Sequence, residues 1–370
     1  MERRTFLKIL SSAGIVSLVS PTFAMEVCKN KVSKSSSALL ESAFRNPPFS
    51  SGVYTWWHWM NGNITKDGIT RDLEAMKANG IAGYQLFEAG SGIPIGPVES
   101  LSDEWVDLIL HTLKESERLG LEFAMHNCPG WSSSGGPWIT PDKAMQIITW
   151  SETKITGGKQ VRIQLPTPKH MFDYYIDTYC LAIPANMKVI PRLSILELSN
   201  RLDKDGVLTW DVPTGEWLIM RFGQTAKDQK NKSAPSKSTG LDCDKFSTEA
   251  LDYHLNCMFK RLMPTMEKIA KHSKIGLLID SYETGDQDWT SDMPAYFEQS
   301  HGYELYPFLP VLANKIVESE ESTKRFLFDF RRVRADMFAE RYYGHFQKRC
   351  KEKGIITYTE PYGGNMICLL

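Results

Sequence analysis

The sequence lacks an excess of charge of either sign: 43 Lys and Arg stand against 44 Asp and Glu in 370 residues. Binding to nucleic acid by phosphate neutralisation needs a basic surplus, so nucleic acid is excluded as a main partner. It also lacks any Cys-x-x-Cys pair. The seven cysteines, Cys28, Cys128, Cys180, Cys243, Cys257, Cys350 and Cys368, are scattered, which leaves no zinc or dithiol motif, and the odd number leaves at least one thiol free. Cys128 stands close to His126, but the sequence places no Asn or Asp beside them, so a packed thiol is a plainer reading than a nucleophile. No Gly-x-Gly-x-x-Gly follows the first strand pattern, and the Gly- and Ser-rich loop "CPGWSSSGG" (128–136) lacks the lysine of a phosphate cradle. Dinucleotide and nucleotide binding therefore have no support.

The N-terminus carries the one short apolar run with targeting character. Arg3-Arg4-Thr5-Phe6-Leu7-Lys8 precedes an apolar segment from Ile9 to Val19, and Thr22-Phe23-Ala24 has the small-x-small pattern of a cleavage site. Residues 1–24 read as an export peptide, too short to anchor in a bilayer, and the arginine pair has the spacing of the twin-arginine route. This predicts an exported protein, periplasmic or extracellular, with no membrane span once the peptide is removed. Residues 25–43 read as a linker, with Lys29–Ser37 flexible.

From residue 44 to 145 strand and helix patterns alternate three times. "GVYTWWHWM", "IAGYQLFEAG" and "LEFAMHNCPG" read as strands, and helices lie between them. Asn79-Gly80 ends the first helix and Ser102 caps the second, whose stripe is Trp105, Leu108, Ile109, Thr112 and Leu113. That rhythm predicts a parallel sheet, and a TIM-type (β/α) barrel suits it best. Residues 146–222 switch to period-2 segments and read as an all-β insertion, whose last piece, Trp217–Phe222, is a candidate to return to the barrel. Gln224–Gly240 reads as a polar, mobile loop. The barrel resumes over 223–364: a helix starting at Ser247 with Leu251, Leu255, Met258 and Leu262 as its stripe, the strand Ile275–Ile279, a long helix from Ser322 to Lys353, and the strand of "IITYTEPYGG". Five strands are clear, and eight close a barrel, so the barrel in this chain is incomplete.

Several strands end in polar groups: His58, Glu88, His126-Asn127, Glu283 and Glu360. The carboxyl ends of barrel strands form the active face. A strand such as Ile275–Ile279 is apolar because it is covered on both sides, and it ends in charge because that end faces a cleft. Two glutamates on separate strands feeding one cleft suit paired acid and base work on a glycosidic bond. His58, Asn61, Trp57, His126, Asn127, Asp280 and Tyr282 flank these ends and are candidates for sugar contacts. For His126 a satisfied histidine orienting the 128–136 loop is an equal alternative. Asp244, Asp280, Asp286 and Asp288 are hard oxygen donors without EF-hand spacing. Arg331, Arg332 and Arg334 read as a solvated or ion-paired helix face. A metal-dependent hydrolase built on His58 and His126 would need a third ligand that the sequence does not supply.

"TWWHWMNGNITKDGITRDLEAMKANGI", "HNCPGWSSSGGPWITPDKAMQ", "LIDSYETGDQDWT" and "FLFDFRRVRADMFAERYYGHF…TYTEPYGG" resemble the α-L-rhamnosidases of glycoside hydrolase family 106, over about residues 44–364. The resemblance implies a (β/α)8 barrel with β-sandwich modules, a calcium-dependent site, a rhamnose-containing glycan as substrate, and hydrolysis with inversion. It implies Glu283 as general acid and Glu360 as general base. Family members are longer, and residues 365–370, "NMICLL", do not continue the family pattern. The expectation is a truncated fragment with remaining domains missing. A non-catalytic carbohydrate-binding protein on the same scaffold is the alternative.

Overall fold

Apolar strands flanked by capped amphipathic helices build the framework seen in the computed structural model, which describes residues 34–280 and 282–360. The chain divides into residues 1–53 and 54–370. Within the first, helix α1 (Lys34–Arg45) occupies part of the segment expected to be a flexible linker, and Arg45 pairs with Glu41 one turn back at 3.0 Å. The export-peptide segment and residues 365–370 lie outside the described residues.

The second unit starts with the predicted alternation. Strand β1 (Val53–Met60) leads to α2 (Lys66–Ala78), β2 (Ile81–Ala89), α3 (Asp103–Leu119) and β3 (Glu122–His126). The helix ends obey local chemistry. The Thr65 and Ser102 hydroxyls accept from the backbone N–H of Gly68 and Trp105, and Gly120 closes α3 in the left-handed conformation. The β-rich region follows: β4 (Gln146–Thr156), β5 (Lys159–Gln164), β6 (Ile176–Pro184), β7 (Leu196–Glu197), β8 (Val207–Val212) and β9 (Glu216–Ala226). The chain then returns through α4 (Thr248–Phe259) and α5 (Met263–Ile269) to β10 (Ile275–Ile279). Last come α6 (Met293–His301), α7 (Glu320–Met337), a wider π-helical turn Phe338–Gly344, α8 (His345–Glu352) and β11 (Ile356–Thr359).

The main sheet has the order β1-β2-β3-β10-β11, with β2/β3, β3/β10 and β10/β11 parallel. Among the described residues it is open: β1 and β11 are its outer strands, and no closed barrel forms. Its helix-facing side carries Tyr84, Leu86, Phe123, Met125, Ile275, Leu277 and Ile279, packed with the stripes of α2, α3 and α4.

Two expectations change. The strand over Trp217–Phe222 does not join the parallel sheet. As β9 it is the centre of the antiparallel sheet β4-β9-β6-β7, paired with β4 from Glu216↔Thr156 to Ala226↔Gln146. It reads as a buried parallel strand because both of its faces are covered: Leu218, Met220 and Phe222 by the α6/α7 layer, Ile219 by the β5/β8 ribbon. An apolar run reports two-sided burial, not strand direction. The long helix starts earlier than Ser322, because the Ser319 hydroxyl caps it by accepting from the Ser322 N–H.

Candidate active-site cleft

Period-2 alternation gives the main sheet two unlike faces. On β1, Trp57 and Trp59 turn to the helix side, where Trp57 meets Tyr84 edge-on and its indole N–H donates to Asp72 at 3.1 Å. Tyr54, Trp56 and His58 take the other side. There the rings of His58, Phe87 and His126 stack across three strands, with centroids 5.5 and 5.2 Å apart, and Trp56 leans on Phe87. A cleft of about 380 Å³ opens on this face, lined by Tyr54, Trp56, Gln85, Leu278, Tyr358 and Glu360. At its base the Tyr54 hydroxyl donates to Glu122, which also pairs with Lys274 at 2.7 Å. Burial, then Glu122, holds the Tyr54 phenol well above its ordinary pKa. Gly276 explains itself here: a Cβ on it would stand 2.3 Å from the Tyr358 ring. The glycine that interrupts β10 is what lets that ring lie over the sheet.

The candidates from the first three strands separate sharply. His58 is exposed and makes no hydrogen bond to the described residues, and burial of its ring against Phe87 lowers its pKa. His126 is enclosed. One ring nitrogen lies 2.7 Å from the Cys128 carbonyl and the other 2.9 Å from the Ser133 hydroxyl. Burial pushes its pKa down to about 4, so the ring is neutral near pH 7. It is the satisfied histidine that holds the 128–136 loop, and it is not available as a metal ligand. Asn127 is also spent on structure. Its amide N–H2 donates to the Leu278 carbonyl at 2.8 Å, and its oxygen receives the Ser134 hydroxyl and approaches His254. Asn61 donates to the Ile93 carbonyl at 2.7 Å and shapes the turn after β1. Glu88 faces the helices, accepts from Ser100 at 2.7 Å, and is pushed up to about 7 by burial. Cys128 is a buried thiol donating to the Ser132 carbonyl, and burial raises its pKa far above the ordinary thiol.

The two glutamates differ from these. The Glu360 N–H donates to the Ile279 carbonyl at 3.0 Å, which ties the end of β11 to the end of β10. Its side chain is exposed on the cleft. Glu283 is half-buried, four residues beyond Ile279, so its Cα lies within about 14 Å of that carbonyl's residue. Neither carboxylate hydrogen-bonds to the described residues. Asp280 is buried, with its N–H on the Ser133 hydroxyl at 3.2 Å. Tyr282 points inward, edge-on to Phe338, and burial pushes its phenol up to about 12. The loop that carries Glu283 is held from three sides: Lys227 donates to the Asp286 carbonyl, the Ile148 N–H to the Asp288 carboxylate, and Arg334 to the Gln287 carbonyl.

A buried polar cluster escapes the sequence reading. Lys245 is fully enclosed, 3.5 Å from Asp242 and over the Tyr342 ring. Burial pushes Asp242 up to about 7, against the pull of Lys245. Asp244 is raised to about 6 by burial while it accepts from Thr290, Gln287 and the Phe246 N–H. The one signal was "LDCDKF", which sets charge among apolar residues beside a helix cap. The loop 224–240 is also more tied than its composition suggests. Asn231 is buried and donates to the Pro129 carbonyl, and Gly90 and Trp131 bond to the Ser233 and Lys232 carbonyls. As for calcium, no three His, Cys, Asp or Glu side chains converge among the described residues. Asp244 and Asp288 are engaged, Asp244 by Thr290, Gln287 and the Phe246 N–H and Asp288 by the Ile148 N–H.

The family model for alpha-L-rhamnosidases matches residues 45–172 and 169–369. A protein of Formosa agariphila, provisionally named a beta-glucuronidase, is 41% identical over 356 residues, covering 88% of this chain and 31% of that protein. The structure of a rhamnosidase from Novosphingobium sp. PP1Y is similar in fold, with TM-score 0.80 and 24% identity, covering 87% of this chain and 47% of that one. The chain thus spans less than half the length of either relative.

Proposed function

The chain belongs to the alpha-L-rhamnosidase family, glycoside hydrolase family 106, and on that premise we propose that it is the catalytic part of an exported, periplasmic or extracellular enzyme removing terminal α-L-rhamnose from a glycan with inversion. Glu283 is the general acid that protonates the leaving oxygen. Glu360 is the general base that takes a proton from the attacking water, on the opposite side of the ring. His58 and Trp56 border the sugar. The observation that carries the reading is the bond from the Glu360 N–H to the Ile279 carbonyl, which ties the end of β11, whose Glu360 lines the cleft, to the end of β10, four residues before Glu283. In support, these two carboxylates stay uncommitted among the described residues while the neighbouring strand-end residues are consumed by structure. The test is release of the aryl group from an aryl α-L-rhamnoside, with an aryl β-glucuronide as the competing substrate. Rhamnoside turnover that is lost in Glu283→Gln and Glu360→Gln supports the proposal. Glucuronide turnover instead reassigns the sugar, and binding of rhamnose without turnover by the chain as a whole makes it a carbohydrate-binding protein.

A further inference from the structure

A second pocket, of about 370 Å³, lies in the β-rich region where the start of β4 meets the end of β9. Its walls include Trp150, Lys169, His170, Met171, Lys227 and Asp228. Trp150 is half-buried, leaning on Phe222 with centroids 6.1 Å apart, so part of the indole remains open. Lys169 is exposed and makes no hydrogen bond or ion pair to the described residues. His170 is fixed by its Nδ1–H, which donates to the Pro168 carbonyl at 2.9 Å. The acid in the wall, Asp228, stands 3.8 Å from Lys230 and is partly offset by it. Lys227 faces the Asp286 and Asp288 carboxylates, so the pocket combines an aromatic face with one cation, Lys169, that is uncommitted among the described residues.

The pocket is physically continuous with the loop that carries Glu283. Lys227 Nζ donates to the Asp286 carbonyl at 2.6 Å, and it stands 3.0 Å from where a Cβ on Gly285 would be. The Ile148 N–H, from another wall residue, donates to the Asp288 carboxylate at 2.9 Å. Asp286 is three residues after Glu283, so the two Cα atoms are within about 11 Å.

We infer that this pocket is a second carbohydrate subsite that takes an anionic sugar, one bearing a carboxylate or a sulfate, joined to the rhamnose that is removed. The inference rests on the reading of Glu283 given above. The apolar face of a pyranose covers Trp150, and its acidic substituent meets Lys169 in a charge-assisted contact. The volume falls within the range of small-ligand sites.

The experiment is calorimetric titration of the whole chain carrying Glu360→Gln, which leaves the ligands uncut, with two disaccharides, rhamnose α-linked to glucuronic acid and rhamnose α-linked to glucose, and with rhamnose α-linked to a sulfated glucose as a third arm. This protein should prefer the anionic partners by about tenfold, which is the size of one charge-assisted contact. Lys169→Ala should reduce the preference to about twofold, Trp150→Ala should weaken all three, and added salt should erode the preference. Comparison of the glucuronate and sulfate arms tells which acid group fits. Equal affinity for neutral and anionic partners, no binding of any, or a preference unchanged in Lys169→Ala overturns the inference. Sugar release is read separately, so loss of hydrolysis with the binding preference intact counts against the glutamate assignment and not against the pocket.

Discussion

The tip of β3 and the tips of β10 and β11 sit side by side on one sheet, and they use their polar residues in opposite ways. At β3, His126 and Asn127 are fully engaged, bonding the 128–136 loop and crossing to Leu278. At β10 and β11 the backbone does the holding, through the Glu360 N–H and the Ile279 carbonyl, and leaves the glutamate side chains uncommitted. A strand-end polar residue is therefore not a site residue by position alone. Backbone bonding does not distinguish the two tips, since the Asn127 N–H also donates across the sheet, to the Leu278 carbonyl at 3.0 Å. What distinguishes them is the 128–136 loop, which folds back and offers the Cys128 carbonyl and the Ser133 and Ser134 hydroxyls to His126 and Asn127.

Five substitutions sharpen or break that contrast. The largest effect is expected at the free tip. Glu283→Gln or Glu360→Gln should lower kcat on an aryl α-L-rhamnoside by about 10²–10⁴-fold, while the melting temperature hardly moves. Equal loss of stability and activity would erase the distinction. At the engaged tip Asn127→Ala should cost about 2–4 kcal/mol in a denaturant titration, because buried partners on Leu278, Ser134 and His254 lose their mates.

His126 adds a pH signature. Its folded pKa, about 4, lies below the ordinary 6.5. A depressed histidine contributes stability that is present above pH 6.5 and is lost as pH falls toward 4. The stability difference between wild type and His126→Gln should therefore shrink by up to about 3 kcal/mol across that window, read by denaturant titration at each pH. The smallest stability effect is expected at His58, exposed on the open face. His58→Ala should change stability by about 0.5 kcal/mol or less while it raises KM for the rhamnoside.

Much of the framework was legible because it follows local rules. The alternation through β3, the Ser102 and Ser247 caps, the Asn79-Gly80 stop and the five strands of the main sheet are each written in a handful of neighbouring residues. Sequence also brought Glu283 and Glu360 forward, since an acid at the end of a buried strand is conspicuous. Partner choice was not legible. Nothing local tells that Trp57 faces Asp72 or that β9 pairs with β4. The cleft residues Tyr54, Trp56, Gln85 and Tyr358 follow from period 2 only once one residue's face is known. The enclosure of Lys245 over Tyr342 joins positions about a hundred residues apart, and its charge made burial the less expected outcome.

The central claim is that two glutamates work across one sugar, with water admitted on the face opposite the leaving group. Proton NMR of the first rhamnose released from an aryl α-L-rhamnoside, recorded before mutarotation, tests it most directly. The account predicts that the β anomer appears first. The α anomer as first product, or no release of rhamnose, would contradict it.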